Sequence, residues 1–120
     1  MPDQKRVLIV EDEKPLQHAL ELKLQREGFA IVTAHNGQEA IELLKSQPFD
    51  VVLLDLMMPE VDGFQVLEQR ATFASQPSIF VLSNLSQRED EERVLALGAK
   101  KYFIKSDTPL TTIVDEIKGL

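Results

Sequence analysis

Five polar side chains draw attention because each stands at the end of an apolar run. Asp55 lies within VVLLDLMMP, where a charge without a partner is costly. Glu11 and Asp12 come directly after RVLIV. Ser83 closes the run SIFVLS, and Lys105 closes KYFIK. The question raised by this pattern is what an acid, a hydroxyl and an ammonium group could do if the fold brings them together.

The residue types point to one kind of chemistry. Three carboxylates about 4 Å apart repel one another by about 4 kcal/mol per pair at an effective dielectric near 20, and a hard dication removes that penalty. Oxygen ligands without His or Cys favour Mg²⁺ or Mn²⁺ over Zn²⁺. A lysine and a serine hydroxyl would add a cation and a donor for an anionic group. This combination suits phosphoryl transfer, in which an aspartate can itself accept the group.

The elements that must position these side chains are five predicted β-strands. Each is a short apolar run of the kind that is buried on both faces, and a helical pattern follows each one. The alternation predicts a parallel sheet with helices on both faces. Ligands bind such sheets at the carboxyl ends of the strands, where these polar side chains lie. The predicted strands are 6–10, 30–34, 50–55, 78–83 and 101–105.

Helix boundaries are also readable from the sequence. Pro15 suits a first helical turn, and Gly28 and Gly98 suit helix ends. Three N-caps have a Glu or Gln three residues later, as in a capping box. The last helix is expected to begin at Ser106 or Asp107. The three capping pairs are Asn36 with Glu39, Asp62 with Gln65, and Ser86 with Glu89. The apolar positions expected on the inner faces of the five helices are Leu16, Leu20, Leu24, Ala40, Leu43, Leu44, Phe64, Leu67, Ala71, Val94, Leu97, Leu110, Ile113, Val114 and Ile117.

Over nearly its whole length the chain resembles a receiver domain of bacterial response regulators, the phosphoacceptor module of two-component signalling and chemotaxis. The resemblance implies a single domain over 1–120 with a flavodoxin-like α/β fold: a doubly wound, five-stranded parallel sheet of strand order 2-1-3-4-5. The matching segments, in family order and spacing, are VLIVEDE, VVLLDLMMPEVDGF, IFVLSNLS and GAKKYFIKS.

The resemblance also implies roles for the acids. Asp55 is the phosphoacceptor, and Glu11 and Asp12 are the acidic pair that binds Mg²⁺, with Mn²⁺ as a possible substitute. Asp12 is expected to bind the metal directly and Glu11 through water. The backbone carbonyl of Met57 is a further expected ligand, brought toward the metal by the loop that Pro59 shapes.

The switch residues follow from the same resemblance. Ser83 and Lys105 would contact the phosphoryl oxygens, and Tyr102 stands at the position of the aromatic switch residue. Phosphorylation is expected to alter the surface of the fourth helix, fifth strand and fifth helix, where we place an output partner or a homodimer contact. The phosphoryl donor would be a histidine kinase or a phosphotransfer protein. The domain would catalyse its own phosphorylation and slow dephosphorylation without being a turnover enzyme.

Several positions depart from the usual family pattern. Ser106 stands where the family commonly has proline, which leaves open whether the Lys105-Ser106 bond is cis. Asn84 stands where a small residue is usual and could crowd the phosphoryl pocket. Met57 and Leu85 are apolar at two positions that help place the hydrolytic water in the family.

Other functions remain open at this stage. A receiver-like interaction module that is never phosphorylated would be expected to lack a site residue, and none is missing. A phosphohydrolase with an aspartyl nucleophile would carry a second Asp at position 57, where Met57 stands. A flavin carrier of the same fold type needs Gly and hydroxyls after the first strand, and that segment is EDEKPLQ.

Composition sets broad limits. The chain has 120 residues, a net charge of −7 and no cysteine, so it forms no disulfide and uses no cysteine nucleophile. The acidic balance argues against direct nucleic-acid binding. No apolar run approaches the roughly 20 residues needed to span a bilayer. No signal peptide is recognisable, so the expected location is the cytoplasm.

Overall fold

Strands and helices alternate along the chain in a computed structural model that describes residues 4–84 and 87–120. Short 3₁₀ turns at Arg70–Thr72 and Lys105–Asp107 follow the third helix and the fifth strand. In chain order the elements are β1 Arg6–Val10, α1 Lys14–Arg26, β2 Ala30–Ala34, α2 Gly37–Ser46, β3 Val51–Asp55, α3 Gly63–Glu68, β4 Ser78–Ser83, α4 Arg88–Ala96, β5 Lys101–Ile104 and α5 Leu110–Lys118.

The five strands form one parallel sheet in the order β2-β1-β3-β4-β5, which confirms the predicted fold. Side chains alternate between its two faces because successive strand residues point to opposite sides. One face packs against α1 and α5 through Leu20, Leu24, Ile113 and Ile117. The other packs against α2, α3 and α4 through residues such as Val94. Both faces of the sheet are therefore covered, as a parallel sheet requires.

Two predicted N-caps are confirmed. The Asn36 side chain accepts a hydrogen bond from the Glu39 amide at 2.8 Å, and Asp62 forms a reciprocal capping box with Gln65. Glu39 reaches back one residue further than a capping box would, to the amide of His35 at 3.3 Å. These caps fix where α2 and α3 begin.

Other helix boundaries differ from the predictions. The last helix begins later than predicted, with Pro109 as its N-cap, because Ser106 and Asp107 form a 3₁₀ turn instead. Proline suits this junction since its φ is fixed near the helical value and it has no N–H to satisfy. Ala71 is exposed in a 3₁₀ turn rather than buried on α3, which ends at Glu68. The predicted cap Ser86 lies outside the described residues, and α4 takes Gln87 as its N-cap without a side-chain hydrogen bond.

Backbone geometry settles two further points. Gly28 and Gly98 have φ of 93° and 109° just beyond α1 and α4, as expected of helix-ending glycines. None of the described peptide bonds is cis, so Lys105-Ser106 is trans.

In the described part of the chain no helix is both long enough and apolar enough to cross a bilayer.

Candidate functional site

The acids from β1 and β3 meet at the carboxyl edge of the sheet. Val10 pairs with Leu54 in the parallel register, so the next residues of the two strands, Glu11 and Asp55, become neighbours. Both carboxyl side chains are almost fully buried, whereas Asp12 is exposed. Each of the three acids offers an oxygen within 4.8 Å of the others. The sequence-predicted acidic cluster is therefore present as a geometric unit.

Lys105 reaches this cluster from the far side of β4. Its Nζ lies 2.9 Å from Oε1 of Glu11 and 3.2 Å from Oδ2 of Asp55. The same ammonium is 3.3 Å from Oε2 of Glu13, an exposed acid. Only 12% of the lysine side chain is exposed, so the ammonium is held among the acids instead of extending into solvent.

Burial dominates the electrostatics of the two inner acids. Loss of hydration raises the pKa of Glu11 to about 7; a hydrogen bond from Lys105 opposes the rise, and the nearby Asp55 charge adds to it. Burial likewise raises the pKa of Asp55, against the charge of Lys105 and a hydrogen bond from the Met57 amide. The site thus holds two acids whose charged forms lack full compensation.

The donor set fits a hard dication. Every candidate ligand atom in the cluster is a carboxylate oxygen, which is the ligand type that Mg²⁺ prefers. Oε1 of Glu11 is buried and has no hydrogen-bond partner of good geometry among the described residues, although Nζ of Lys105 is close to it. Because Nζ of Lys105 already lies 2.9 Å from this oxygen, the fit to a hard dication rests on the all-oxygen donor set.

The loop after β3 is folded tightly against Asp55. The Met57 amide donates a hydrogen bond to Oδ1 of Asp55 at 3.1 Å, while its side chain is 57% exposed. Gly63 lies so near that an added Cβ would come within 2.7 Å of the Asp55 carbonyl oxygen. Glu60 has a φ of 67°, the left-handed region that L-residues rarely occupy. The role of the Met57 carbonyl as a ligand stays a prediction.

Ser83 and Tyr102 form a second part of the site on β4 and β5. Ser83 is fully buried at the end of β4, and Tyr102 is half-buried against the core that includes α4. Burial raises the pKa of the Tyr102 phenol, a hydrogen bond with Ser83 lowers it, and the charges of Asp90 and Glu91 raise it further. Ser83 is therefore already connected to Tyr102 in this structure.

Sequence reasoning missed one contact and leaves one position untested. Glu13 was not among the candidate residues, although it is the third acid of EDE and lies beside the others. Asn84 is exposed. Leu85, expected to influence hydrolysis, lies outside the described residues.

A family model described as the response regulator receiver domain matches residues 7–117 of the chain. The chain belongs to the response-regulator receiver family. Among curated relatives of this receiver domain, the cell cycle response regulator CtrA of Brucella ovis is 36% identical over 100 residues. That match covers 83% of the chain and 43% of the relative, so the receiver domain spans less than half the length of this regulator.

Solved structures agree with this assignment. The signal receiver domain of the response regulator NarL from Mycobacterium tuberculosis superimposes with a TM-score of 0.84 at 27% identity, covering 98% of this chain and 96% of that one. A Burkholderia pseudomallei response regulator, described with a phosphorylated aspartic acid and a calcium ion, gives a TM-score of 0.82. At 22% identity over 97% of this chain and 72% of that one, it supports the fold alone.

Proposed function

We propose that this receiver domain is a phosphorylation-activated switch in which Asp55 accepts a phosphoryl group from a histidine kinase or a phosphotransfer protein. The observation that carries the proposal is the buried Asp55 carboxylate, 3.2 Å from Lys105 Nζ and grouped with two further acids. The phosphorylated aspartic acid of the related Burkholderia regulator is consistent with this chemistry.

A divalent cation would be held by Asp12, Asp55 and Glu11, with the carbonyl of Met57 as the expected further ligand. Mg²⁺ fits this all-oxygen set, and Mn²⁺ has the same ligand preference. When bound, the cation supplies positive charge that offsets the repulsion between the acids and the incoming phosphoryl oxygens. Asp12 is the exposed member of the group and is therefore the residue most accessible to a hydrated ion.

In the transfer step, a carboxylate oxygen of Asp55 forms a bond to phosphorus as the bond from phosphorus to the donor nitrogen breaks. The electron pair of the broken bond stays on that nitrogen, which takes a proton from solvent. Lys105 is already at the carboxylate and balances the charge of the phosphoryl oxygens. Asp55 cannot turn away freely, since Met57 holds its other oxygen at 3.1 Å.

The switch step is a change of partner for Ser83. Its hydroxyl contacts Tyr102 in this structure, and a phosphoryl group on Asp55 would offer it a charged acceptor. A hydrogen bond to a charged group contributes roughly 1.5–3 kcal/mol, whereas a full population reversal from 1:99 to 99:1 needs about 5.5 kcal/mol. The Ser83 hydrogen bond alone is therefore too weak for a full reversal: either Lys105 and a bound cation would supply the remainder, or the unphosphorylated domain would already sample the active state.

Tyr102 carries the change to the surface formed by α4, β5 and α5. It packs beside α4 and lies near Asp90 and Glu91 of that helix, so loss of its Ser83 contact would be felt there. We place the output contact, either a partner protein or a second copy of the chain, on this surface. Dephosphorylation by water would return the Asp55 carboxylate slowly, so the domain acts as a switch and not as a turnover enzyme.

Intact-mass measurement after incubation with acetyl phosphate tests the proposal. Wild-type protein should gain one phosphoryl group only with Mg²⁺ present, and Asp55→Asn should gain none. Asp115→Asn, which changes an exposed acid of α5, is the matched control and should behave as wild type. Asp12→Ala should fail at low Mg²⁺ and recover in part as Mg²⁺ is raised.

A stable adduct on Asp55→Asn at the wild-type level would refute the assignment of the acceptor. Wild-type protein that takes up no phosphoryl group from any donor would instead favour the alternative function, an interaction module that is not phosphorylated.

A further inference from the structure

Helix α1 buries a polar side chain where an aliphatic one would be expected. Its buried residues are Gln17, Leu20 and Leu24, which share one face of the helix. A primary amide placed in such a position costs free energy unless hydrogen bonds satisfy it. The partners of Gln17 therefore indicate what the residue does.

The Gln17 amide nitrogen connects the ends of β1 and β2. Nε2 lies 3.0 Å from the carbonyl oxygen of Glu11 and 3.2 Å from that of Ala34. A third neighbour, Nδ1 of His35, is 3.3 Å away. An amide nitrogen has two hydrogens, and the two carbonyl oxygens are its nearer acceptors. The Glu11 amide in turn donates to the same Ala34 carbonyl at 3.2 Å, so the three residues form one small network.

This network fixes the peptide unit between the two acids of the site. The Glu11 carbonyl belongs to the planar group that joins Glu11 to Asp12, and a planar peptide moves as one body. A hydrogen bond to that oxygen therefore restrains the direction in which both acid side chains leave the backbone. Among the described residues Gln17 makes no hydrogen bond to either carboxylate, so its influence passes through the backbone.

We propose that Gln17 is a positioning residue for the cation site and that it orients the Glu11-Asp12 peptide through its hydrogen bond to the Glu11 carbonyl. The inference rests on the proposed function, because it assumes that these acids hold a divalent cation. Groups that hydrogen-bond to the ligands of a metal typically change its affinity 10- to 100-fold when they are removed. We expect an effect near the lower end, since Gln17 acts through the backbone.

Gln17→Met tests the role with little change in shape, because methionine has the same chain length and no N–H. Leu20→Met is the matched control on the same buried face of α1. Mg²⁺ titration followed by amide NMR should show an apparent Kd about tenfold higher in Gln17→Met and near the wild-type value in Leu20→Met. The Asp12 amide resonance of the metal-free protein should also shift in Gln17→Met alone.

Phosphoryl uptake gives a second readout. In Gln17→Met the Mg²⁺ concentration for half-maximal uptake should rise by the same factor, while the rate at saturating Mg²⁺ stays at the wild-type value. A residue that merely supports the fold would lower the saturated rate and the folded fraction together. Gln17→Leu, which suits the apolar face, should repeat the result if Gln17→Met folds poorly.

The proposal is overturned if Gln17→Met binds Mg²⁺ as the wild type does, or if Leu20→Met weakens binding equally. It is also overturned if both Gln17 variants unfold, since the amide would then serve the fold. Wild-type protein that binds no Mg²⁺ would refute the proposed function itself, and wild-type binding with unaltered Gln17 variants would refute only this inference.

Discussion

Mg²⁺ binding should depend on pH because the buried carboxyl of Glu11 is partly protonated near neutrality. Its pKa is about 7 in the metal-free protein, raised mainly by burial. A cation at the acidic cluster requires the charged form, so protons and Mg²⁺ compete. With a single titrating group of this pKa, the apparent Kd should be about tenfold higher at pH 6 than at pH 8.

The same proton should stabilise the metal-free fold at low pH. The folded pKa of Glu11 lies above its ordinary value of 4.5, so the folded state binds more protons between the two values. The contribution of Glu11 to the free energy of unfolding is therefore fully present below about pH 4.5 and is lost as pH rises to about 7, a loss of roughly 3 kcal/mol. The raised pKa of Asp55 acts in the same direction. Lys105 titrates far above this window and adds no slope within it.

Urea unfolding of metal-free protein between pH 5 and 8, with Mg²⁺ titrations at pH 6 and 8, measures both effects. Glu11→Gln should make both pH profiles shallower, because the group with a pKa of about 7 is gone, while Asp55 still contributes a slope of its own. Glu13→Gln removes another acid beside Lys105, an exposed one, and should leave both profiles as in the wild type. A wild-type Kd that is equal at pH 6 and 8, or a Glu11→Gln profile as steep as the wild type's, would refute the reasoning.

Three further predictions concern the loops and the switch. Replacing Met57 with Asn and Leu85 with Glu should shorten the lifetime of the phosphoryl group, because the apolar side chains cannot hydrogen-bond to an attacking water and the polar ones can. Intact mass followed over time measures this lifetime, and an unchanged lifetime would contradict the prediction. Glu60→Gly should raise the free energy of unfolding, measured by urea denaturation, by up to about 1 kcal/mol, because it relieves a left-handed φ that costs an L-residue about 1–2 kcal/mol. An unchanged free energy of unfolding would mean that the turn is unstrained. Ser83→Ala should retain phosphoryl uptake but show a reduced NMR shift at Tyr102 on activation, and a full-size shift would exclude Ser83 from the switch.

Strands and most of the polar site could be predicted from the sequence because their signals are local. The run VVLLD is buried along its whole length, so the carboxylate that closes it lies at the carboxyl end of the strand, where ligands bind parallel sheets. The caps Asn36 and Asp62 were predictable for the same reason, since each bonds to an amide three residues away. Parallel pairing then brings Glu11 to Asp55.

Features that depend on tertiary contacts were not predictable in this way. The start of α5 at Pro109 depends on how the chain leaves β5 through a 3₁₀ turn, and Ser106 and Asp107 were equally good caps by sequence. Glu13 contacts Lys105 across 92 residues. Gln17 interrupts an apolar helix face, and its burial is explained only by its hydrogen bonds to the carbonyl oxygens of Glu11 and Ala34, which the sequence does not show.

The most direct test of the switch is an amide NMR comparison of the wild-type domain with and without a beryllofluoride mimic of the phosphoryl group, in the presence of Mg²⁺. The account predicts shifts at Asp55 and Lys105 that continue through Ser83 and Tyr102 to α4 and α5. Shifts that stop at the acidic cluster, with Tyr102 and α5 unchanged, would contradict it.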